Sequence, residues 1–209
     1  MVILGGGAAA FAAAIRADEL GFRCVMINSG LPMGGTCVNV GCIPSKFLLE
    51  AGNEYFYRQS PQFACNLPGT PSCDFPEAIA NKDRMVHKLR KTNYLDVLEE
   101  RKVEYIEAKG TLLPGRKVRA GSRLLQGRHI LIATGSSPRI PAIEGLQSAG
   151  YLTNRTLLQR KQRPEELLVL GGGPLGLEFG QMYAHFGSAV TVMDSAPRIL
   201  PLEEPEVSE

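Results

Sequence analysis

The sequence predicts an α/β fold in which parallel strands alternate with helices. Residues 2–28 and 168–194 form an internal repeat at an offset of 166 positions. Each copy contains a short apolar run, a glycine turn, a helical stretch, a glycine stop and a second apolar run, which is the pattern of a βαβ unit. The content of 44% hydrophobic and 21% charged residues is that of an ordinary globular protein.

Composition and charge exclude several classes of function. The chain has 23 basic and 21 acidic residues, a balance that gives no reason to expect nucleic acid or an anionic membrane as a partner. It contains no apolar run near the ~20 residues that a membrane-spanning helix needs. The apolar first residues lack a basic leader and are interrupted by glycines, which disfavours a signal peptide. We therefore expect a cytoplasmic protein.

The chain between the two repeat copies is expected to contain a helical region and several short strands. A helix is predicted to begin between residues 37 and 44, after a loop at 29–36. A mixed-charge helix is predicted from about Pro76 to Glu100. The remaining predicted segments are an exposed connection at 57–74, strands at 103–106, 117–119 and 130–133, and a domain boundary within 134–150.

The two glycine turns have the spacing of dinucleotide-binding loops. In such a loop the first glycine permits a tight turn after the strand, and the second lets the backbone approach a pyrophosphate. The third small residue lets the helix pack closely on the strand. The pyrophosphate then lies at the helix N-terminus, where the helix dipole favours negative charge. The candidate residues are Gly5, Gly7 and Ala10 in the first copy and Gly171, Gly173 and Gly176 in the second.

The residue that ends each repeat is expected to contact a ribose. Asp194 lies 23 residues after Gly171, near the usual spacing of about 20. A carboxylate accepts hydrogen bonds from a free 2′-hydroxyl and repels a 2′-phosphate, which favours NADH over NADPH, although Arg198 leaves some tolerance for NADPH. Asn28 holds this position in the first copy. There an amide would bind a ribose more weakly than a charged acceptor, and a surface turn is the alternative interpretation.

Two cysteines five positions apart, Cys37 and Cys42, are candidates for a redox-active pair. They flank a glycine at a predicted helix start, where the helix N-terminus and nearby Lys46 are expected to lower a thiol pKa. Such a pair can cycle between dithiol and disulfide. The spacing alone equally allows two buried structural cysteines.

The other cysteines and the histidines predict no metal site. Cys24 falls in a core strand, and we expect it only to pack there. Cys65 and Cys73 fall in the exposed connection, where a redox or metal role is the minor alternative. The three histidines, His87, His129 and His185, lie near no cysteine at ligand spacing.

The run GGTCVNVGCIPSK, residues 34–46, closely resembles the redox-active segment of the class I pyridine nucleotide–disulfide oxidoreductases. That family includes dihydrolipoyl dehydrogenase, glutathione reductase and mercuric reductase. The resemblance covers the whole chain in order, with an Ala-Thr-Gly segment at 133–135 between the two glycine loops. Residues 90–94 and 150–153 are most similar to mercuric reductases. Ser45 stands where glutathione reductases have lysine.

The resemblance implies roles for individual residues. Cys37 would be the interchange thiol that attacks the substrate, and Cys42 the charge-transfer thiol beside the flavin. Lys46 would lie near the flavin and pair with Glu178, and Asn28 would stand where the family has a glutamate at the adenosine ribose. The other implied residues are Gly5, Gly7, Ala10, Thr36, Gly110, Thr134 and Gly135 for FAD, and Gly171, Gly173, Gly176 and Asp194 for NAD(P)H.

The resemblance also implies a domain organisation and an activity. Residues 1–145 would form an FAD-binding domain with a Rossmann-like three-layer fold, and residues 146–209 the first part of an NAD(P)-binding domain. Electrons would pass from NADH through FAD to the Cys37–Cys42 disulfide and on to a substrate. Hg(II) is the favoured substrate and dihydrolipoamide the alternative. Family members continue into a C-terminal domain that forms a homodimer and supplies a catalytic His and Glu. Residues 1–209 alone are therefore expected to be inactive. The alternative function, of a different class, is that of a fragment that binds FAD without catalysis.

Overall fold

The computed structural model describes residues 1–59 and 72–209, and these pack as two compact units. The first unit contains residues 1–44 and 83–157, and the second contains 158–209 with the described part of 45–82. Each unit holds one copy of the repeat. Packing thus divides the chain at other places than residue 145, and the assignment of 1–145 and 146–209 to two cofactor-binding domains stays a prediction.

The helices and strands follow one another along the chain in an α/β order. They are β1 (Val2–Leu4), α1 (Ala8–Glu19), β2 (Val25–Asn28), α2 (Gly35–Val40), α3 (Cys42–Gln59), α4 (Phe75–Arg90), a π turn (Lys91–Leu95), α5 (Asp96–Glu100), β3 (Glu104–Glu107), β4 (Gly110–Leu113), β5 (Lys117–Ala120), β6 (Arg123–Gln126), β7 (Ile130–Ile132), α6 (Leu146–Ala149), α7 (Asn154–Leu157), β8 (Glu166–Leu170), α8 (Pro174–His185), β9 (Ala189–Met193) and a 3-10 turn (Pro205–Ser208).

The first unit has three layers around a parallel sheet with the strand order β3-β2-β1-β7. Successive side chains of a strand point to opposite faces, so the apolar residues of β1 and β2 fill two cores. The core on the helical face includes Ile3, Met26, Ala10, Ala14, Ala17 and Leu98. The core against the antiparallel sheet β4-β5-β6 includes Val2, Leu4, Ile27, Val118 and Ala120. This arrangement confirms the three-layer α/β fold.

The second unit contains a parallel pair of strands, with β8 and β9 in register from Glu166 opposite Ala189 to Leu170 opposite Met193. Helix α8 connects the two strands, and its buried face includes Tyr183. The ring of Phe75 lies 5.9 Å from that of Tyr183 and 5.1 Å from that of Phe186, measured between centroids. Both predicted βαβ units are therefore confirmed.

The helix predicted to begin between residues 37 and 44 is confirmed as α3, which begins at Cys42, but a second helix before it was not predicted. Helix α2 begins at Gly35, inside the predicted loop, and a break at Gly41 separates it from α3. Gly41 has φ −130° and ψ −128°, which is not helical. A Cβ added at Gly41 would lie 2.9 Å from the carbonyl oxygen of Thr36. Only glycine fits this break, which puts Cys37 and Cys42 on separate helices.

The other predicted strands and helix starts are confirmed, but two strands were missed. The strands expected at 103–106, 117–119 and 130–133 are present as β3, β5 and β7, but β4 and β6 were not predicted. Asp74 caps α4 by accepting a hydrogen bond from the N–H of Glu77 at 3.0 Å, as the sequence signal for a helix start near Pro76 predicts. Residues 60–71 of the expected connection, with Cys65, lie outside the described residues. No helix in the described ranges is both long and apolar enough to cross a membrane.

Candidate cofactor and redox sites

The first glycine loop is built from close backbone contacts. Gly5 follows β1 with φ +130°, and a Cβ there would lie 2.1 Å from the carbonyl oxygen of Ala133. Gly35 has φ +61°, and its Cβ would lie 2.5 Å from the Cα of Gly7. Ala10 is completely buried in α1. The loop can therefore form only because Gly5 and Gly35 lack side chains.

A cleft of about 240 Å³ lies at the carboxyl ends of the parallel strands. This edge of an open α/β sheet, beside the point where the strand order reverses, is where such folds bind ligands. The lining comes from the chain segments after β1, β2, β3 and β7. It includes Gly5, Asn28, Gly110 and Thr134, together with Leu4, Ile27, Ser29, Ala108 and Lys109. The structure thus brings together four site residues that the sequence predicted separately.

The side chain of Asn28 is held in place by hydrogen bonds that its amide nitrogen donates. Its Nδ2 donates to the carbonyl oxygen of Leu31 at 2.8 Å and to the hydroxyl of Tyr105 at 3.4 Å. The side chain lies over Gly6, whose Cβ would be 2.6 Å from the Asn28 Cγ. Because the donors serve the protein, the carbonyl oxygen is the group that Asn28 can offer to a ribose. The sequence analysis did not identify Tyr105, because this residue of β3 belongs to no recognisable motif.

Other predicted FAD residues have local structural roles. A Cβ at Gly110 would lie 2.4 Å from the Cδ2 of Leu4, so a side chain at this position would displace that of Leu4. Gly135 has φ +68°, which favours glycine. Thr36 is exposed in the first turn of α2.

The thiols of Cys37 and Cys42 are in hydrogen-bonding contact. Cys37 is half-buried in α2, and Cys42 is the exposed first residue of α3. The break at Gly41 permits this approach across the junction of the two helices. A pair of adjacent thiols can form a disulfide by thiolate attack and oxidation, so the arrangement is suited to two-electron redox chemistry.

The expectation of a lowered thiol pKa is wrong for Cys37. Burial raises the pKa of this thiol, and the hydrogen bond to Cys42 and the charge of Cys42 raise it further. The backbone N–H groups of Cys42 and Ile43, at the start of α3, lower the pKa of Cys37 by a smaller amount. The predicted helix N-terminus therefore acts on the thiol, but burial outweighs it.

Tyr94 lies within electrostatic range of Cys37, which the spacing of the cysteines could not indicate. Burial raises the pKa of the Tyr94 hydroxyl, and the charge of Cys37 raises it in addition. The ring of Tyr94 packs on that of Phe11, with centroids 4.7 Å apart. The π turn therefore places a tyrosine within electrostatic range of the Cys37 thiol.

Lys46 and Glu178 form an ion pair between their Nζ and Oε1 atoms. The side chains are 55% and 36% exposed, and exposed pairs of this kind contribute little to stability. Their position beside a flavin stays a prediction.

The second glycine loop repeats the turn of the first. Gly171 follows β8 with φ +117°. A Cβ at Gly176 would lie only 1.9 Å from the carbonyl oxygen of Gly171, so helix α8 packs against its own loop. Gly173 is the extended N-cap of α8, and Pro174 is the first helical residue, where proline is favoured.

Asp194 is an acceptor for the backbone of the second loop. Its Oδ2 accepts the N–H of Gly172 at 2.6 Å, and its Oδ1 accepts the N–H of Ala196 at 2.8 Å. These hydrogen bonds lower the pKa of the carboxyl group, and the one from Ala196 has the largest effect. Since each carboxylate oxygen has a second lone pair, Asp194 can brace the loop and still accept from a ribose.

Arg198, which the sequence left available for NADPH, is engaged within the loop after β9. Its guanidinium donates to the carbonyl oxygens of Leu200, Pro201, Glu203 and Glu204 and to the hydroxyl of Ser208. A 2′-phosphate would have to compete with these acceptors.

The described residues contain no group of three or more His, Cys, Asp or Glu side chains that could hold a metal ion. Cys24 is buried in the core on the helical face of the sheet. Burial raises the pKa of Cys73, and the charge of Asp74 raises it further.

A family model described as pyridine nucleotide-disulphide oxidoreductase matches residues 1–209. This chain belongs to that family. The match confirms the resemblance drawn from the segment GGTCVNVGCIPSK, and it agrees with a structure that places two thiols in contact beside a dinucleotide-type loop.

Curated relatives include reductases and dehydrogenases of the family. The chain is 39% identical over 209 residues to mercuric reductase of Lysinibacillus sphaericus, covering 100% of this chain and 38% of the relative. For mercuric reductase of Streptomyces lividans the identity is 42% over 217 residues, with 100% and 45% covered. For dihydrolipoyl dehydrogenase of Chlorobaculum tepidum it is 36% over 218 residues, again with 100% and 45% covered. The chain thus spans less than half the length of these relatives.

A solved structure confirms the α/β fold. The HOCl-induced flavoprotein disulfide reductase RclA from Escherichia coli has a TM-score of 0.85 and 30% sequence identity. The similarity covers 99% of this chain and 44% of that chain.

Proposed function

We propose that this chain is the FAD-binding and redox-disulfide part of an NAD(P)H-dependent oxidoreductase whose favoured substrate is Hg(II). The observation that carries the proposal is the contact between the thiols of Cys37 and Cys42 across the break at Gly41. The supporting observation is the cleft at the carboxyl ends of the parallel strands, which Gly5 and Asn28 line.

The glycines that would face the two pyrophosphates fit dinucleotides. A Cβ at Gly7 would make one ordinary contact, at 3.7 Å from the Cα of Gly35, and a Cβ at Gly173 would meet no atom of the described residues within 4 Å. Neither glycine has a positive φ. The protein's own packing therefore does not require glycine at either position, whereas a pyrophosphate approaching the helix N-terminus would.

Residues of the first unit would hold FAD, and residues of the second would hold the nicotinamide nucleotide. Gly5, Gly7, Asn28 and Thr134 would line the FAD site. Gly171 and Gly173 would approach the pyrophosphate of NAD(P)H, and Asp194 would accept from its ribose, for which we favour NADH. Bound FAD would supply the carrier that passes two electrons from the nicotinamide to the disulfide.

The thiol pair would act on the substrate. Reduction of the Cys37–Cys42 disulfide yields two thiols, and Cys37 then meets the substrate as the interchange thiol. Because burial raises the pKa of Cys37, its proton leaves when a soft metal ion binds the sulfur, since metal binding requires the thiolate and releases the proton. Hg(II) suits such ligands.

Dihydrolipoamide is the second candidate substrate, and the 36% identity to dihydrolipoyl dehydrogenase of Chlorobaculum tepidum favours it. For the whole protein we further propose a cytoplasmic homodimer formed through a C-terminal domain, with no nucleic acid or membrane as partner.

Single substitutions of the cysteines in the FAD-loaded protein that contains this chain test the proposal. Cys37→Ser should retain a long-wavelength charge-transfer band from the Cys42 thiolate, and Cys42→Ser should abolish it. Cys73→Ser is the matched control and should leave the band and the NADH-dependent reduction of Hg(II) unchanged. The reverse behaviour of the first two variants would contradict the assignment of the thiols.

Residues 1–209 alone provide a second test. We expect no NADH-dependent turnover of Hg(II) or lipoamide, and weak retention of FAD on gel filtration. The Cys37–Cys42 disulfide should still form under oxidising conditions, because both thiols belong to one local segment. Turnover by this chain would contradict only the expectation that residues 1–209 are inactive alone, whereas failure of the disulfide to form would contradict the proposal.

A further inference from the structure

Helix α2, which carries Cys37, has only six residues, Gly35–Val40. Isolated helices shorter than about 12 residues are marginal in water, so α2 depends on tertiary contacts. Two glycines with positive φ, Gly34 at +96° and Gly35 at +61°, lead into it. The position of Cys37 therefore depends on whatever holds this short helix.

The amide of Asn39 ties α2 to the loop before it. Its Nδ2 donates to the carbonyl oxygens of Pro32 at 3.1 Å, Met33 at 3.2 Å and Gly35 at 2.8 Å. An amide nitrogen has two N–H groups, so three acceptors within reach engage both of them. This residue lies between the two cysteines in sequence and fixes the start of the helix from within.

Arg90, the last residue of α4, binds the oxygen of the Asn39 amide. Its Nη1 donates to the Oδ1 of Asn39 at 3.2 Å, a partly buried contact. Its Nη2 lies 3.1 Å from the Nδ1 of His87, one turn earlier in α4. Because a guanidinium can only donate, Nδ1 of His87 is the acceptor. The guanidinium is thus fixed between its own helix and Asn39.

We propose that Arg90 and Asn39 are positioning residues that keep Cys37 in contact with Cys42. This inference rests on the redox role proposed above for the thiol pair. A disulfide has a narrow range of geometries, and it holds the two sulfur atoms together whether or not α2 is anchored. The dithiol form has no such bond, so the contacts that hold α2 limit how far it can move away. The Arg90–Asn39 hydrogen bond is one of them, beside the buried Val38 and Val40. Loss of that hydrogen bond should therefore favour the dithiol over the disulfide.

The equilibrium with glutathione measures this effect directly. One sulfur–sulfur bond forms between Cys37 and Cys42, the pair loses two electrons and two protons, and one glutathione disulfide is reduced to two glutathione thiols. In residues 1–209, Arg90→Met should lower the equilibrium constant for the disulfide about tenfold, the scale of one hydrogen bond from a charged donor. That corresponds to a rise of about 30 mV in reduction potential.

The matched control is Lys88→Met, which removes a positive charge from an exposed position of the same helix. Its equilibrium constant should equal that of the unsubstituted chain. Arg90→Lys keeps a charged donor near Asn39 and should recover part of the tenfold loss, which serves as the readout if Arg90→Met fails to fold. The disulfide is quantified by thiol alkylation and peptide mass analysis at a series of glutathione ratios.

The outcomes separate the two proposals. If the unsubstituted chain forms no Cys37–Cys42 disulfide at any ratio, the redox role itself is wrong. If that disulfide forms but Arg90→Met titrates within twofold of the unsubstituted chain, or Lys88→Met shifts as far as Arg90→Met, the positioning role is wrong. For a folded Arg90→Met, a tenfold loss confined to the Arg90 variants supports it.

Discussion

The two repeat copies fold into nearly the same backbone with different side chains at three key positions. The N–H of Gly5 donates to the carbonyl oxygen of Ile27 at 2.8 Å, and the N–H of Gly171 donates to that of Met193 at the same distance. The repeat continues beyond the region of sequence similarity. The carbonyl oxygens of Gly6 and Gly172 accept the N–H groups of residues 34 and 200, at 2.8 and 2.9 Å.

Position 34 is a glycine with φ +96°, and its counterpart Leu200 has φ +48°. A leucine with positive φ is uncommon. The backbone hydrogen bond to the loop recurs although the residue type does not, because the N–H that it uses belongs to every residue except proline. Backbone geometry is therefore more similar between the copies than the sequences are.

The copies differ where side chains meet the loop. Ala10 and Gly176 are equivalent positions, yet a Cβ at Gly176 would lie 1.9 Å from a backbone oxygen, whereas Ala10 is accommodated. Asn28 donates to the carbonyl oxygen of Leu31, whereas Asp194 accepts from two backbone N–H groups. The helix of the second copy packs closer to its loop, and the charge of Asp194 supports that loop directly.

The largest expected difference concerns the first glycine of each loop. Both have a φ that side chains rarely adopt, which costs about 1–3 kcal/mol. A Cβ at Gly5 would also lie 2.1 Å from the Ala133 oxygen, whereas at Gly171 it meets nothing within 4 Å among the described residues. Gly5→Ala should lower the free energy of unfolding by about 4 kcal/mol and Gly171→Ala by about 2 kcal/mol. Urea denaturation followed by circular dichroism measures both, and equal losses would contradict the difference in packing.

The third small residue of each loop gives the next effect. Gly176→Ala should cost about 3 kcal/mol, because the added methyl group has no space between α8 and the loop. The reverse change in the first copy, Ala10→Gly, should cost about 1–2 kcal/mol through helix propensity and the lost buried methyl group. The same denaturation experiment tests the pair. A Gly176→Ala variant as stable as the parent would mean that α8 can move away from its loop.

Exchanging the end-of-strand residues tests the opposite hydrogen-bond roles. Asn28→Asp removes the donor to Leu31 and sets a carboxylate against a carbonyl oxygen, which should cost about 2 kcal/mol. Asn28→Gln, which keeps the amide, is the control and should cost less. Asp194→Asn should also destabilise, since an amide retains only one acceptor oxygen for two N–H groups. A stabilising effect of Asn28→Asp would show that the first loop accepts the charge arrangement of the second.

The smallest expected effect is a dependence on acid that arises from Asp194, whose equivalent in the first copy, Asn28, has no carboxyl group. Hydrogen bonds from backbone N–H groups lower the pKa of Asp194, and those from Ala196 and Gly172 have the largest effects. A carboxyl with a depressed folded pKa stabilises the folded state above about pH 4, its ordinary range, and this contribution is lost as the pH falls through the folded pKa. Urea midpoints at about pH 6 and about pH 3 should differ less in Asp194→Asn than in the parent. If the difference between the two urea midpoints in Asp194→Asn equals that of the parent, the role of Asp194 is wrong. Asn28→Gln is the control and should show the same difference between midpoints as the parent.

Much of the fold could be predicted because its determinants are local. The apolar runs, the glycine turns and the cap at Asp74 lie within a few residues of the structures they specify. Strands β4 and β6 were missed because neither GTLL nor RLLQ alternates strongly, and both depend on pairing with β5. The pKa of Cys37 was predicted in the wrong direction, since burial depends on residues distant in sequence.

The sequence by itself determined the two βαβ units, the thiol pair and the candidate dinucleotide loops, since each is a spacing of residue types along the chain. Only the tertiary structure decided that Gly5, Asn28, Gly110 and Thr134 line one cleft. It also brought Tyr94 within electrostatic range of Cys37 and Arg90 into contact with Asn39. It also decided that Arg198 is engaged by nearby carbonyl groups. The physical reason is that spacing along the chain fixes backbone turns, whereas burial and hydrogen-bond partners depend on which distant segments pack together.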